Sequence, residues 1–140
     1  MKEQFSPENS RIFEIQNYVQ ANYTKPLSLN DLTRKLYLSN AYLSKYIKKH
    51  FGLSFLEYVN NVRLFHAVDE LIYSDKKITR IAMDNGFPTA AAFNKAFKEI
   101  YHLTPSAYRQ KMHNSENIDE KKQGKEKQEV DLRVRKYLEG

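Results

Sequence analysis

A chain of 140 residues, 41% hydrophobic and without cysteine, suits one domain or two small ones, and it excludes disulfide staples and cysteine-based metal sites. A reducing, cytoplasmic setting is the natural expectation; no apolar run approaches a membrane span, and the N-terminus lacks the apolar core of a signal peptide. The net charge of +6 is concentrated in residues 28–112, where thirteen bases face seven acids while both ends are balanced, and such an excess favours a polyanion partner.

Ser6-Pro7 fits a helix cap followed by proline at the first helical position. Ile12, Ile15, Tyr18 and Val19 then form the stripe of an amphipathic helix over 7–22. Ser28 caps a short helix ending near Tyr37, with Asp31 near its positive end. Ser39 caps the next, through about His50, and Gly52 is its expected left-handed stop. Ser54 and Glu57 have capping-box spacing and open a long helix over about 55–73, with Phe55, Val59, Val62, Leu71 and Ile72 near one face. Ser74-Asp75-Lys76-Lys77 breaks it. A helix over about 78–85 stops at Gly86, Pro88-Thr89 breaks and caps again, and a helix follows to about residue 101. Thr104-Pro105 starts a last one over about 105–112. Nothing before residue 113 alternates at period two, so this part is expected to be all-α. Residues 114–128 have the composition of a charged linker or frayed tail. Residues 130–134 alternate, which leaves a short strand and the edge of a further domain both open.

One pattern occurs twice, at an offset of 49 residues from Thr33 to Ala82 and of 50 from Leu43 to Phe93. Each copy reads as a helix-turn-helix, the second with a turn one residue longer. Two such copies at a fixed distance match two successive grooves of a DNA duplex. In the second helix of the first copy, Leu43, Tyr46 and Ile47 should face the core, leaving Asn40, Ala41, Ser44, Lys45 and Lys48 outward. Lys45 can donate to a guanine edge, whereas Ala41 can only touch a thymine methyl. In the second copy Phe93, Ala96 and Phe97 should be core, leaving Thr89, Ala90, Ala91, Asn94, Lys95 and Lys98. Lys45 then corresponds to Lys95 and Lys48 to Lys98. Ala90-Ala91-Ala92 offers no hydrogen-bonding side chain, so the second copy is expected to make phosphate and methyl contacts, with sequence choice resting on the first copy and on DNA shape.

Nothing points to catalysis. His50, His66, His102 and His113 lack metal-ligand spacing, so no metal or other cofactor is expected. His50 and His102 follow helices at near-equivalent positions, which suggests local packing. Phe51, Phe55, Phe87, Phe93 and Phe97 read as scaffold, with Tyr37 and Tyr42 exposed. Two further readings stay open: a helical interaction module for an acidic protein partner, and a non-specific nucleoid-type DNA binder.

Residues 28–112 closely resemble the C-terminal DNA-binding domain of AraC/XylS-type transcription regulators. The resemblance rests on Leu38-Ser39, Tyr42-Leu43-Ser44-Lys45, Phe51-Gly52-Leu53-Ser54-Phe55 with Tyr58, Arg63-Leu64 with Ala67, Ile81-Ala82, Gly86-Phe87, Phe93, Phe97-Lys98, and Thr104-Pro105 with Tyr108-Arg109. It implies an all-α fold of about seven helices. Two homeodomain-like helix-turn-helix subdomains, 28–53 and 74–112, would be joined by a linker helix, 54–73, after an N-terminal segment, 1–27, and before a charged tail, 113–140. It also implies a bacterial, sequence-specific DNA-binding regulator, an activator by family habit. The implied partners are double-stranded DNA and RNA polymerase, with this chain a monomer. By motif position the base readers would be Ala41, Ser44 and Lys45, then Ala90, Ala91, Asn94 and Lys95. Asn40, Lys48, Thr89 and Lys98 would sit near phosphates, and Arg63 and Arg109 would be scaffold. Three residues depart from the pattern: Thr33 stands for a small alanine, Tyr37 for the turn glycine and His102 for the second glycine of the closing turns. Tyr37 would strain its turn by about 1 kcal/mol if that turn needs a positive φ. The 27 residues before the first copy are too few for a sensor domain, and residues 129–140 look cut short, so a piece of a longer regulator is expected.

Overall fold

The computed structural model describes residues 7–114, which form seven helices with no strand among them. They are α1 (Pro7–Asn22), α2 (Leu29–Leu36), α3 (Asn40–Phe51), α4 (Phe55–Tyr73), α5 (Ile78–Asp84), α6 (Ala90–Tyr101) and α7 (Pro105–Asn114). The expected cap at Ser6, the linker from residue 115 onward and the alternating segment 130–134 lie outside the described residues.

Most boundaries have a local cause. Ser28, Ser39 and Thr89 accept the backbone N–H groups of Asp31, Tyr42 and Ala92, three residues on. Ser54 and Glu57 close a reciprocal capping box: the Glu57 N–H donates to Ser54 Oγ at 3.2 Å and the Ser54 N–H to the Glu57 carboxylate at 2.9 Å. That Ser54 backbone donor is the main reason the Glu57 carboxyl lies below its ordinary range. Thr104 accepts from the Ala107 N–H at 3.1 Å, and α7 runs two residues past the end expected at 112. α3 stops at Gly52 in the left-handed region, as expected.

Two other helix ends take the same geometry without glycine. Tyr37 closes α2 at φ 59° and His102 closes α6 at φ 65°. The cost, about 1–2 kcal/mol each, is small beside the combined burial of Leu32, Leu43 and Ile47, worth about 1.5–3 kcal/mol apiece. Packing therefore sets the turn and the side chain tolerates it. His50 packs its ring on Tyr46, with centroids 4.2 Å apart. His102 is exposed, which corrects the expected packing role: at a 50-residue offset it matches Gly52, not His50.

The apolar side chains gather in two clusters. One joins Ile15 and Val19 of α1 to Leu32, Leu43, Tyr46, Ile47 and Phe51, and takes Tyr58, Val59 and Val62 from the first half of α4. The other takes Leu64, Ala67, Val68 and Leu71 from its second half and joins them to Ile81, Ala82, Phe87, Phe93, Ala96, Phe97, Tyr108 and Met112. This corrects the expected single apolar face of α4. At about 100° per residue, Tyr58, Val59 and Val62 centre on one side of the helix, and Leu64, Ala67, Val68 and Leu71 centre on the opposite side. A linker serving two cores needs two stripes. Arg109 ties the second unit to the end of α4. Its Nε donates to the Leu71 carbonyl at 2.9 Å, Nη1 to Lys76 at 2.6 Å, and Nη2 to Ser74 at 3.0 Å and Glu70 at 3.3 Å. It thereby serves the Leu71 carbonyl, which the helix C-terminus leaves open, and the Ser74 and Lys76 carbonyls just beyond the helix.

Candidate nucleic-acid interface

Burial of one side of α3 and α6 turns the other side outward. In α3 the buried residues are Leu43, Tyr46, Ile47 and Phe51, and Asn40, Ala41, Ser44, Lys45 and Lys48 are all exposed. In α6 Phe93, Ala96 and Phe97 are buried, and Thr89, Ala91, Asn94, Lys95 and Lys98 are exposed. Ala90 alone among the expected contact residues is half-buried, so only part of its methyl group is reachable.

The polar groups at the two helix starts are partly committed. The Thr89 hydroxyl accepts from the Ala92 N–H at 3.0 Å, which leaves its own proton to donate. Asn40 Nδ2 donates to Asn30 Oδ1, tying the first turn of α3 to α2. The lysines are less committed. Lys45, Lys95 and Lys98 form no ion pair with a described residue, while Lys48 contributes weakly to the lowered pKa of Glu57. Asp31, Glu70 and Asp84 are paired within the scaffold: Asp31 with Arg34 at 2.7 Å, Glu70 with Lys76, and Asp84 with Arg80 at 3.0 Å and Lys76 at 3.1 Å. The Lys76 hydrogen bond is the chief reason Asp84 lies below the usual carboxylate range.

Sequence reasoning missed Arg11. Its Nη1 donates to the Tyr42 hydroxyl at 2.9 Å, and its guanidinium lies 5.6 Å and 5.8 Å from the ring centres of Tyr42 and Tyr46. It places another positive charge beside the start of α3. The available signal is its position four residues before Ile15, at the edge of the α1 stripe. Its partner, 31 residues away, is beyond any local pattern.

A groove of about 750 Å³ lies between the two units, with Leu27, Leu56, Arg63, Met83, Phe87 and Lys95 along it. Among the described residues no group of three or more His, Asp or Glu is arranged to hold a metal ion. No helix there is long and apolar enough to cross a membrane.

A family model described as a helix-turn-helix domain matches residues 32–111. The chain belongs to the AraC-type helix-turn-helix family. It is 36% identical over 101 residues to an uncharacterized HTH-type transcriptional regulator of Staphylococcus aureus, an alignment covering 72% of this chain and 14% of that protein. The chain therefore spans a small part of that curated relative. The C-terminal domain of the two-component response regulator yesN from Fusobacterium nucleatum is 38% identical, with a TM-score of 0.64 over 68% of this chain and 93% of that one. The DNA-binding domain of the transcriptional factor AdpA, solved in complex with a target DNA, gives a TM-score of 0.68 over 74% of this chain and 93% of that one. At 19% identity it shows the shared fold alone. In this AraC-type chain the two helix-turn-helix pairs are α2–α3 and α5–α6, with α4 between them.

Proposed function

We propose that this AraC-type chain is the sequence-specific DNA-binding part of a transcription regulator, with α3 and α6 entering successive major grooves of double-stranded DNA. The observation that carries this is the matched pair of outer faces. Lys45 and Lys48 on α3, and Lys95 and Lys98 on α6, are exposed at a 50-residue offset, opposite buried residues at the same offset (Leu43 with Phe93, Tyr46 with Ala96, Ile47 with Phe97). Ala41, Ser44 and Lys45 would meet base edges in one groove, and Ala90, Ala91, Asn94 and Lys95 in the other. Asn40, Lys48, Thr89 and Lys98 would hold phosphates. AdpA, which shares the fold, was solved on its target DNA.

The division along the chain follows: 28–53 and 74–112 read DNA, 54–73 sets their separation, and α1, in the N-terminal segment, supports the first unit. In this reading the chain binds as a monomer in the cytoplasm and carries no catalytic group. An activating role would bring RNA polymerase beside it.

Selection of bound duplexes from a random pool tests the proposal. The expected result is an asymmetric consensus with two blocks about one helical turn apart, roughly 10 base pairs, and affinity falling steeply with salt. A steep salt slope with no enriched sequence would leave a non-specific binder in place of a regulator.

A further inference from the structure

The two hydrophobic clusters do not merge. α4 passes from one to the other between Val62 and Leu64, and the residue between them, Arg63, is only 4% exposed. Its Nε donates to the Tyr23 carbonyl at 2.8 Å and its Nη2 to the Lys25 carbonyl at 2.9 Å, both in the loop joining α1 to α2. The guanidinium also lies 5.9 Å from the ring centre of Phe87, in the turn joining α5 to α6. No described carboxylate pairs with it. Gly86, just before Phe87, has φ 91°, and a Cβ there would stand 2.0 Å from the Tyr23 carbonyl oxygen, 2.8 Å from Arg63 Nε and 3.0 Å from Thr24 Cα. A loop of the first unit, the linker arginine and a turn of the second unit therefore meet with no room for a methyl group.

We propose that Arg63 and Gly86 form the joint that holds the two recognition helices at one mutual angle, and so set the half-site spacing the chain accepts. The half-site part rests on the DNA-binding reading above. α3 packs on the first cluster and α6 on the second, so their angle is decided wherever the clusters are joined. A single linker helix with opposite stripes leaves each unit free to pivot about it. The planar guanidinium removes that freedom by fixing two carbonyls with its edge while packing beside Phe87. Gly86 lets the turn close onto the same carbonyl, three residues before the Thr89 cap of α6. Base-edge contacts require placement within about 0.5 Å and 10–20°, so a loosened joint would act on site spacing before it acts on folding. Arg63 and Gly86 are positioning residues in this account.

The test measures the angle directly. The chain has no cysteine, so spin labels at Lys49→Cys and Glu99→Cys, exposed and equivalent in α3 and α6, report one inter-helix distance in the free full chain. A single narrow distribution is expected in the parent. Arg63→Met, which keeps the apolar stem and loses both hydrogen bonds, should broaden it, and so should Gly86→Ala. Arg63→Lys, a single point donor, should fall between. On unlabelled protein, inserting one base pair between the two selected blocks should cost the parent at least about tenfold in affinity, the range of a lost base contact, and Arg63→Met less than about threefold. An unchanged distance distribution in folded Arg63→Met overturns the proposal. If Arg63→Met does not fold, Gly86→Ala decides by the same measurement. If neither folds, the proposal also falls, because the contact would then be core and not a joint between cores. Failure of the parent to bind any duplex would remove the half-site claim together with the DNA reading, while the distances still decide the joint.

Discussion

Tyr37 and Gly86 occupy the same left-handed turn position of the two helix-turn-helix units, 49 residues apart, with φ of 59° and 91°. Their surroundings are opposite. Tyr37 is 93% exposed, whereas any side chain at position 86 would run into the Tyr23 carbonyl 2.0 Å away. The same left-handed position occurs in both units, yet only the second needs glycine for lack of space. Gly52 and His102 repeat the arrangement at the ends of α3 and α6, with φ of 77° and 65°. Each unit keeps one glycine and one side chain in the left-handed region.

Tyr37→Gly should therefore stabilise the chain. Relief of the left-handed strain, about 1–2 kcal/mol, outweighs the entropy that glycine adds to the unfolded chain, about 0.4–1 kcal/mol, and the exposed ring gives up little burial. A gain of a few tenths to about 1 kcal/mol in urea unfolding is expected, with a rise of a few degrees in Tm. A fall in the urea midpoint would contradict this.

Arg109→Ala should destabilise by about 2–3 kcal/mol, since the carbonyls at the end of α4 lose a charged donor. Arg109→Lys should recover only part, because an ammonium cannot reach carbonyls of Leu71, Ser74 and Lys76 together. Equal stability of the lysine variant and the parent would show that the fork is not needed.

The capping box gives a pH dependence of known sign. The Glu57 pKa is lowered by folding, so its contribution is complete above the ordinary carboxylate range and is lost as pH falls through the folded-state value. Unfolding of the parent and of Glu57→Gln, followed from pH 7 to pH 3, should differ more at the upper end. A gap that widens on acidification would reverse the assignment.

Lys45→Ala and Lys48→Ala should separate reading from anchoring. The first should reduce the preference for the selected duplex by about 1–3 kcal/mol; the second should weaken all sequences alike and lower the salt slope by about one. If neither variant alters duplex binding, α3 is not the recognition helix.

The sequence by itself determined whatever depends on neighbours within a turn or two. Ser28, Ser39, Ser54, Thr89 and Thr104 mark helix starts because their oxygens reach an N–H three residues on. The outward set from Asn40 to Lys98 follows from helical period alone, and all but Ala90 is fully outward. Tertiary structure alone decided the two-sidedness of α4, the contact of Arg11 with Tyr42 across 31 residues, and the meeting of Arg63 with carbonyls 38 and 40 residues away. The reason is physical. A cap or an apolar stripe is specified by bonds and spacings inside one segment, whereas a guanidinium can satisfy any backbone carbonyl, and which one it finds depends on where packing has brought the chain.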